Sequence, residues 1–181
     1  IVLNNIFSAQ IGFGERTFYW SANATLLGAG ATGSLDMGLL ASFSGIPGGS
    51  NTGGIPADGE QITFSQIVVG PIIGLTPGGV YKVIHPYGVI ENLVANAVGA
   101  IPIQRQDLGC AIAIPPDNPC PFTAALGSPI GPFLRWDPAV TPLAPVGFIG
   151  NPTVPHTVIG SPFGINVFRI EGPNAGGSGI N

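Results

Sequence analysis

Charge is scarce in this chain. Asp, Glu, Lys and Arg together make up 8% of its 181 residues, where a soluble domain carries about 25%. Five basic residues against nine acidic ones leave a net charge of −4. There is no basic patch to neutralise phosphates and no polybasic run to meet anionic lipid, so neither nucleic acid nor a membrane surface is an expected partner. Long apolar runs are missing too. Mean hydropathy is positive, yet the longest nearly unbroken apolar stretch, Ile67 to Leu75, is interrupted by Gly70, Pro71 and Gly74. A helix that crosses a bilayer needs roughly 18–20 such residues in a row, so membrane insertion is not expected. Helical bundles and coiled coils are excluded as well. The Glu, Lys and Arg surface of a solvated helix is absent, and each of the 29 Gly and 19 Pro would cost a helix interior roughly 1–3 kcal/mol.

What the chain does have is apolar mass. Leu, Ile, Val and Phe account for 56 residues, about 31%, well above the roughly 20% that goes with disorder. A core can form, and the length suits one domain. The clearest order lies near the start, where Phe18, Trp20, Ala22, Ala24 and Leu26 alternate with Thr17, Tyr19, Ser21, Asn23 and Thr25. Period two means a strand with one buried face. After Gly28 to Gly33, Leu35, Met37, Leu39, Ala41 and Phe43 repeat the pattern, and the two runs read as a hairpin. Residues 45–59 hold six Gly and no periodicity and read as a loop. Strand candidates then follow at Gln61 to Val69, Val80 to Ile84 and Val89 to Val98, with Pro77-Gly78-Gly79 and His85-Pro86-Tyr87-Gly88 as turns, which reads as a meander. In the more Pro-rich second half the candidates are Phe133 to Trp136, Gly147 to Ile149, Thr157 to Ile159 and Ile165 to Glu171. One internal echo is present. Gly127-Ser-Pro-Ile-Gly131 before Phe133-Leu-Arg-Trp136 matches Gly160-Ser-Pro-Phe-Gly164 before Val167-Phe-Arg-Ile170.

The fold class expected is all-β, an antiparallel β-sandwich of Greek-key or jelly-roll type. Residues 1–174 form its single domain, residues 1–13 being an extended N-terminal segment and 175–181 a Gly-rich tail.

Cys110 and Cys120, the only cysteines, flank a loop stiffened by Pro115, Pro116 and Pro119. One pairing is available and no second Cys pair or nearby His offers a zinc site, so a disulfide is expected, with an oxidising extracellular or cell-surface setting. Ile1-Val-Leu-Asn-Asn5 lacks a basic n-region, and the reading is of a numbering that begins after processing. Asn23-Ala24-Thr25 is a candidate glycosylation acceptor.

Two further blocks carry a resemblance. Gly74-Leu-Thr-Pro-Gly-Gly-Val-Tyr-Lys-Val-Ile-His-Pro-Tyr-Gly88 and Gly160-Ser-Pro-Phe-Gly-Ile-Asn-Val-Phe-Arg-Ile-Glu-Gly-Pro173 stand in the same order as Asp107-Leu-Gly-Cys110 and Gly131-Pro-Phe-Leu-Arg-Trp-Asp137 between them. Over roughly residues 60–174 the chain resembles an uncharacterised module of secreted bacterial proteins. The resemblance implies a secreted β module, in some cases part of a larger surface protein, and brings no catalytic residue with it.

No catalytic constellation is expected. Only His85 and His156 are available as bases, neither lies near a G-x-S-x-G turn, and both read as hydrogen-bonding turn residues. The carboxylates are scattered, and Asp58, Glu60, Asp117 and Asn118 fall short of a calcium loop. Arg169 and Glu171, two apart on a strand, point to one face and read as an ion pair. Trp20 with Tyr19, and Trp136 with Tyr87, would suit a sugar platform if exposed together, though Trp20 falls on the apolar face of its strand. No enzyme, cofactor or metal is therefore expected.

The function expected is that of an extracellular structural protein, a self-assembling subunit of a surface filament, sheath or layer whose partners are copies of itself. With so little charge, sheet edges are open to strand addition. Ile1, Val2, Leu3, Ile6, Phe7, Ile11 and Phe13 put apolar groups on both faces of the N-terminal segment. That segment either covers the hairpin's buried face within one chain or bridges two copies. The alternative is a secreted carbohydrate-binding or adhesion module with glycan partners, and a secreted hydrolase ranks third.

Overall fold

The computed structural model describes residues 16–28, 30–43, 61–109, 130–151 and 153–181. Within them the chain is strand-rich and without helix: β1 (Arg16–Thr25), β2 (Ser34–Phe43), β3 (Gln61–Val69), β4 (Val80–His85), β5 (Gly88–Val94), β6 (Gln104–Gly109), β7 (Arg135–Trp136), β8 (Val158–Ile159) and β9 (Arg169–Glu171). The fold is all-β. Three sheets are present among the described residues, a four-stranded one in the order β1-β2-β3-β6, a three-stranded one in the order β5-β4-β9 and the β7-β8 pair. β4 runs antiparallel to both neighbours, and β7 to β8.

The chain divides into two compact units. The first comprises Ile1–Ser21, Met37–Ile67 and Gln106–Ile130. Its described core holds Trp20, Met37, Leu39, Ile67 and Ile130. Here β1 sorts its side chains less cleanly than period two predicts. Trp20 is buried, but Phe18, expected on the same face, is 51% exposed and lies against Gly38, where a Cβ would meet the Phe18 ring at 3.0 Å.

The second unit comprises Ala22–Asp36, Val68–Arg105 and Gly131–Asn181. Its core is built from Leu35, Val69, Ile72, Leu75, Tyr81, Val83, Ile101 and Leu134, all buried. Each such aliphatic side chain contributes about 1.5–3 kcal/mol over its exposed state. Isolated antiparallel bridges outside the strands tie Ile73 to Thr32 and Ile72 to Ile101. Gly99 makes one close turn possible. Its φ of 71° is one L side chains rarely adopt, and a Cβ there would overlap the Leu75 carbonyl oxygen.

Several sequence expectations are corrected here. β3, β4 and β5 do not form a meander, because β3 pairs with β2 and β6 while β4 pairs with β5 and the distant β9. The strand expected to run to Val98 stops at Val94, since the Asn96 side chain accepts from the Val98 and Ala100 N–H groups and folds residues 95–100 into a turn. Gly147 to Ile149 is no strand, because Phe148 N–H donates to Pro145 O and closes a turn. Ile165 to Glu171 shortens to β9 because Ser161 holds the loop before it. Phe133 to Trp136 shortens to β7, and β6 was not expected at all. The expected loop at 45–59 lies outside the described residues.

Residues 175–181, read from composition as a tail, carry structure. Ala175 is 5% exposed, its carbonyl accepts from Ala31 N–H at 2.9 Å, and Gly177 bridges to Ile180. The two sequence blocks Gly74 to Gly88 and Gly160 to Pro173 meet each other. β4 pairs with β9, Ser161 Oγ donates to Pro86 O at 2.6 Å, and Tyr81 Oη donates to Pro173 O at 2.8 Å.

Candidate association surface

The two histidines weighed as bases lie on different local structures: His85 on a strand, and His156 in an irregular stretch with Nδ1 2.8 Å from Thr157 O. His85 ends β4, is 1% exposed, and accepts a hydrogen bond at Nδ1 from Tyr87 N–H at 3.3 Å. Burial holds its imidazole below the usual histidine range. Tyr87 beside it is buried, donates from its hydroxyl to Pro132 O at 2.9 Å, and has its phenol pushed up to about 12 by that burial, against the opposing effect of a Leu134 backbone hydrogen bond. Tyr87 is buried, so the condition for a Trp136 and Tyr87 sugar platform, exposure of both rings together, is not met. Trp136 stacks instead on His156, centroids 4.1 Å apart and planes 8° from parallel. Gly150 packs against the indole edge, where a Cβ would meet Trp136 Nε1 at 2.9 Å. Trp20 is core.

The charges cluster on the three-stranded sheet. Glu171 accepts from Lys82 Nζ and from Arg169, each at 2.8 Å, which pairs Arg169 with Glu171 on one face as expected. The Lys82 hydrogen bond, ahead of the charges of Lys82 and Arg169, holds the Glu171 carboxyl below its usual range. An open groove of about 380 Å³ beside this cluster is lined by Val80, Tyr81, Lys82, Glu91, Asn92, Glu171 and Gly172. No group of three or more His, Cys, Asp or Glu able to hold a metal occurs among the described residues.

These same features blunt the edges of that sheet. β9 is three residues long and carries Arg169 and Glu171. β5 exposes Glu91 and is kinked at Asn92, whose φ is 58°, while its register with β4 shifts between Tyr81 and Val83. Short length, charge and a bulge are the means by which a sheet edge resists another strand.

Across the described residues, that sheet included, many apolar side chains reach the surface. Eighteen large hydrophobic side chains are exposed, among them Leu27 at 92%, Val98 at 84% and Val146 at 100%. Leaving a Leu, Val or Phe in water forgoes about 1.5–3 kcal/mol each, and scattered singly they mean little. Between Asp137 and Arg169, however, residues 138–168 include no Asp, Glu, Lys or Arg, and this stretch exposes Leu143, Val146, Phe148, Ile149, Phe163 and Val167. Composition signalled a charge deficit. It did not locate it, because these residues alternate with Pro and Gly rather than forming a recognisable run.

Of the other residues singled out by sequence, Asn23 stands exposed on β1. Cys110, Cys120, Asp58, Glu60, Asp117, Asn118 and the segment containing Ile1, Val2, Leu3, Ile6, Phe7, Ile11 and Phe13 lie outside the described residues. No helix among the described residues is long and apolar enough to cross a membrane. The chain matches no family model, no curated protein and no solved structure.

Proposed function

We propose that this chain is an extracellular structural protein, a sandwich-like β subunit that associates with copies of itself into a surface filament, sheath or layer. One observation carries the reading: eighteen exposed large apolar side chains among the described residues in a protein with only 8% charged residues. Such a surface lowers its free energy by meeting another like it, and little like-charge repulsion opposes the meeting. The resemblance to secreted modules and the expected Cys110–Cys120 disulfide support an extracellular setting. Ile1 to Phe13 is the proposed bridge between copies, because backbone pairing of an extended segment supplies affinity while its alternate side chains supply specificity.

Sedimentation velocity of the purified chain, with and without residues 1–13, tests this. Large species from the whole chain are expected, along with their loss from a truncated chain whose circular dichroism is unchanged. A whole chain that sediments as a monomer at every concentration overturns the assembly reading. A truncated chain that assembles unchanged, or unfolds, overturns the bridging role alone.

A further inference from the structure

The turn that joins β4 to β5 ties two distant segments to the three-stranded sheet. Pro86 O accepts from Ser161 Oγ at 2.6 Å, and Ser161 Oγ in turn accepts from Phe163 and Ile165 N–H. The Tyr87 hydroxyl donates to Pro132 O at 2.9 Å. Within the turn itself, Tyr87 N–H donates to His85 Nδ1 at 3.3 Å.

That last bond fixes the state of the ring. An imidazole nitrogen that accepts is unprotonated, so the proton of neutral His85 sits on Nε2. Nε2 is buried and finds no hydrogen-bond partner among the described residues. The residue is 1% exposed, and Gly88 closes over the ring, where a Cβ would lie 3.7 Å from Cε1. A second proton would put an N–H on Nδ1, which then opposes Tyr87 N–H instead of accepting from it. It would also place a full charge where neither ring N–H has an acceptor.

Among the described residues no carboxylate stands by to receive that charge. Lys82 of β4 and Arg169 of β9 pair with Glu171. Asp36, Glu91, Arg105 and Arg135 are exposed, the Asp137 carboxylate accepts from Ala139 N–H, and His156 stacks on Trp136. Residues 131–134 and 160–168, which the turn holds, contain no ionisable side chain. Tyr87 next to the ring is a neutral phenol bonded to Pro132.

We propose that the His85–Gly88 turn is an acid-opened latch: on taking up a proton His85 turns out to water, and the turn lets go of Pro132 and of the Ser161 loop while the rest of the sheet holds. The opening is local because His85 and Gly88 form the last pair of the β4–β5 ladder, whereas Lys82, Val83 and Ile84 are also held by β9. Releasing a ladder's end takes less free energy than parting the sheet. The latch works in a single copy and does not depend on association.

Amide hydrogen exchange of the whole chain at pH 7.5 and 5.5, corrected for intrinsic exchange, tests this. One proton bound on opening, at the ordinary histidine pKa of 6.5, makes the open form roughly tenfold more favourable at the lower pH. Protection at Tyr87, Phe163 and Ile165 is expected to fall by about that factor in the wild type and in His156→Gln, and to stay level in His85→Gln. At both pH values it is expected to lie below the protection of Val83 and Ile84. No fall in the wild type, or an equal fall in His85→Gln, overturns the proposal. So does protection equal to that of Val83 and Ile84, since the three amides would then exchange only when the sheet itself unfolds. Should His85→Gln fail to fold, the His85 Cε1–H resonance of the wild type decides, His156→Gln supplying its assignment. A midpoint below pH 6.5 is expected, and a midpoint at 6.5 or above with Tyr87 still protected would show that the ring takes its proton in place and overturn the latch.

Discussion

Removing one oxygen atom tests how the C-terminal residues are held. The Tyr81 side chain is 1% exposed. Its hydroxyl accepts from Thr76 N–H at 2.8 Å and donates to Pro173 O at 2.8 Å, joining positions 92 residues apart. Tyr81→Phe keeps the ring and its packing. It leaves Thr76 N–H without that acceptor, and Pro173 O with the 3.3 Å bond from Thr76 Oγ1. Each hydrogen bond contributes about 1 kcal/mol net, and a partly buried donor left without its acceptor adds to the loss, so the expected cost is about 2 kcal/mol. For a chain of this size that lowers Tm by roughly 4–8 °C. The loss is local in origin. Gly172 and Pro173 lead into Ala175, which accepts from Ala31, so amide exchange at Gly176, Gly177 and Ile180 is expected to accelerate as well. Thermal unfolding followed by circular dichroism, with hydrogen exchange on the same samples, checks both. A Tm within about 1 °C of the wild type, or unchanged exchange at those amides, would refute the reasoning.

Three further outcomes follow from the same structure. His85 is buried with its pKa lowered from 6.5, so the unfolded chain binds a proton that the folded one resists. Stability is therefore held above pH 6.5 and declines as the pH falls below it, and denaturant titrations at pH 7.5 and 5.5 are expected to show that slope shrink in His85→Gln. Gly99→Ala meets the Leu75 carbonyl oxygen at a φ of 71° and is expected to cost at least about 2 kcal/mol in the same titrations, whereas Gly78→Ala, at the same φ but with open space around it, is expected to cost less. The proposed Cys110–Cys120 bridge closes a short loop that contributes roughly 2–3 kcal/mol in the chain-entropy model. Alkylation without reductant is expected to label neither thiol, and labelling of both would refute the pairing.

Local pattern carried part of this fold into the sequence, and long-range pairing carried the rest. β1 and β2 were legible because Trp20, Ala22 and Ala24, and then Leu35, Met37 and Leu39, obey period two over a long run. The β4–β5 turn was legible from Pro86 and Gly88. β6, Gln104-Arg-Gln-Asp-Leu-Gly109, has no alternating pattern, and its strand character comes from lying beside β3. β9 was misjudged in length because Ser161, bonded to Asn166, Ile165 and Pro86, holds the preceding residues in a loop that apolar content alone does not announce. The 175–181 segment reads as a linker by composition. What fixes it is Asn174, whose side chain accepts from Gly179 N–H and donates to Thr76 Oγ1, a partner 98 residues away. The candidate surface was legible as a charge deficit and not as a place, since the turns that present Val146 and Phe148 are set by Trp136 and Asp137.

Negative-stain electron microscopy of the purified chain tests the central claim most directly. The account predicts regular filaments or sheets with a constant repeat, formed without any added ligand. A field of isolated particles of single-chain size at every concentration would contradict it.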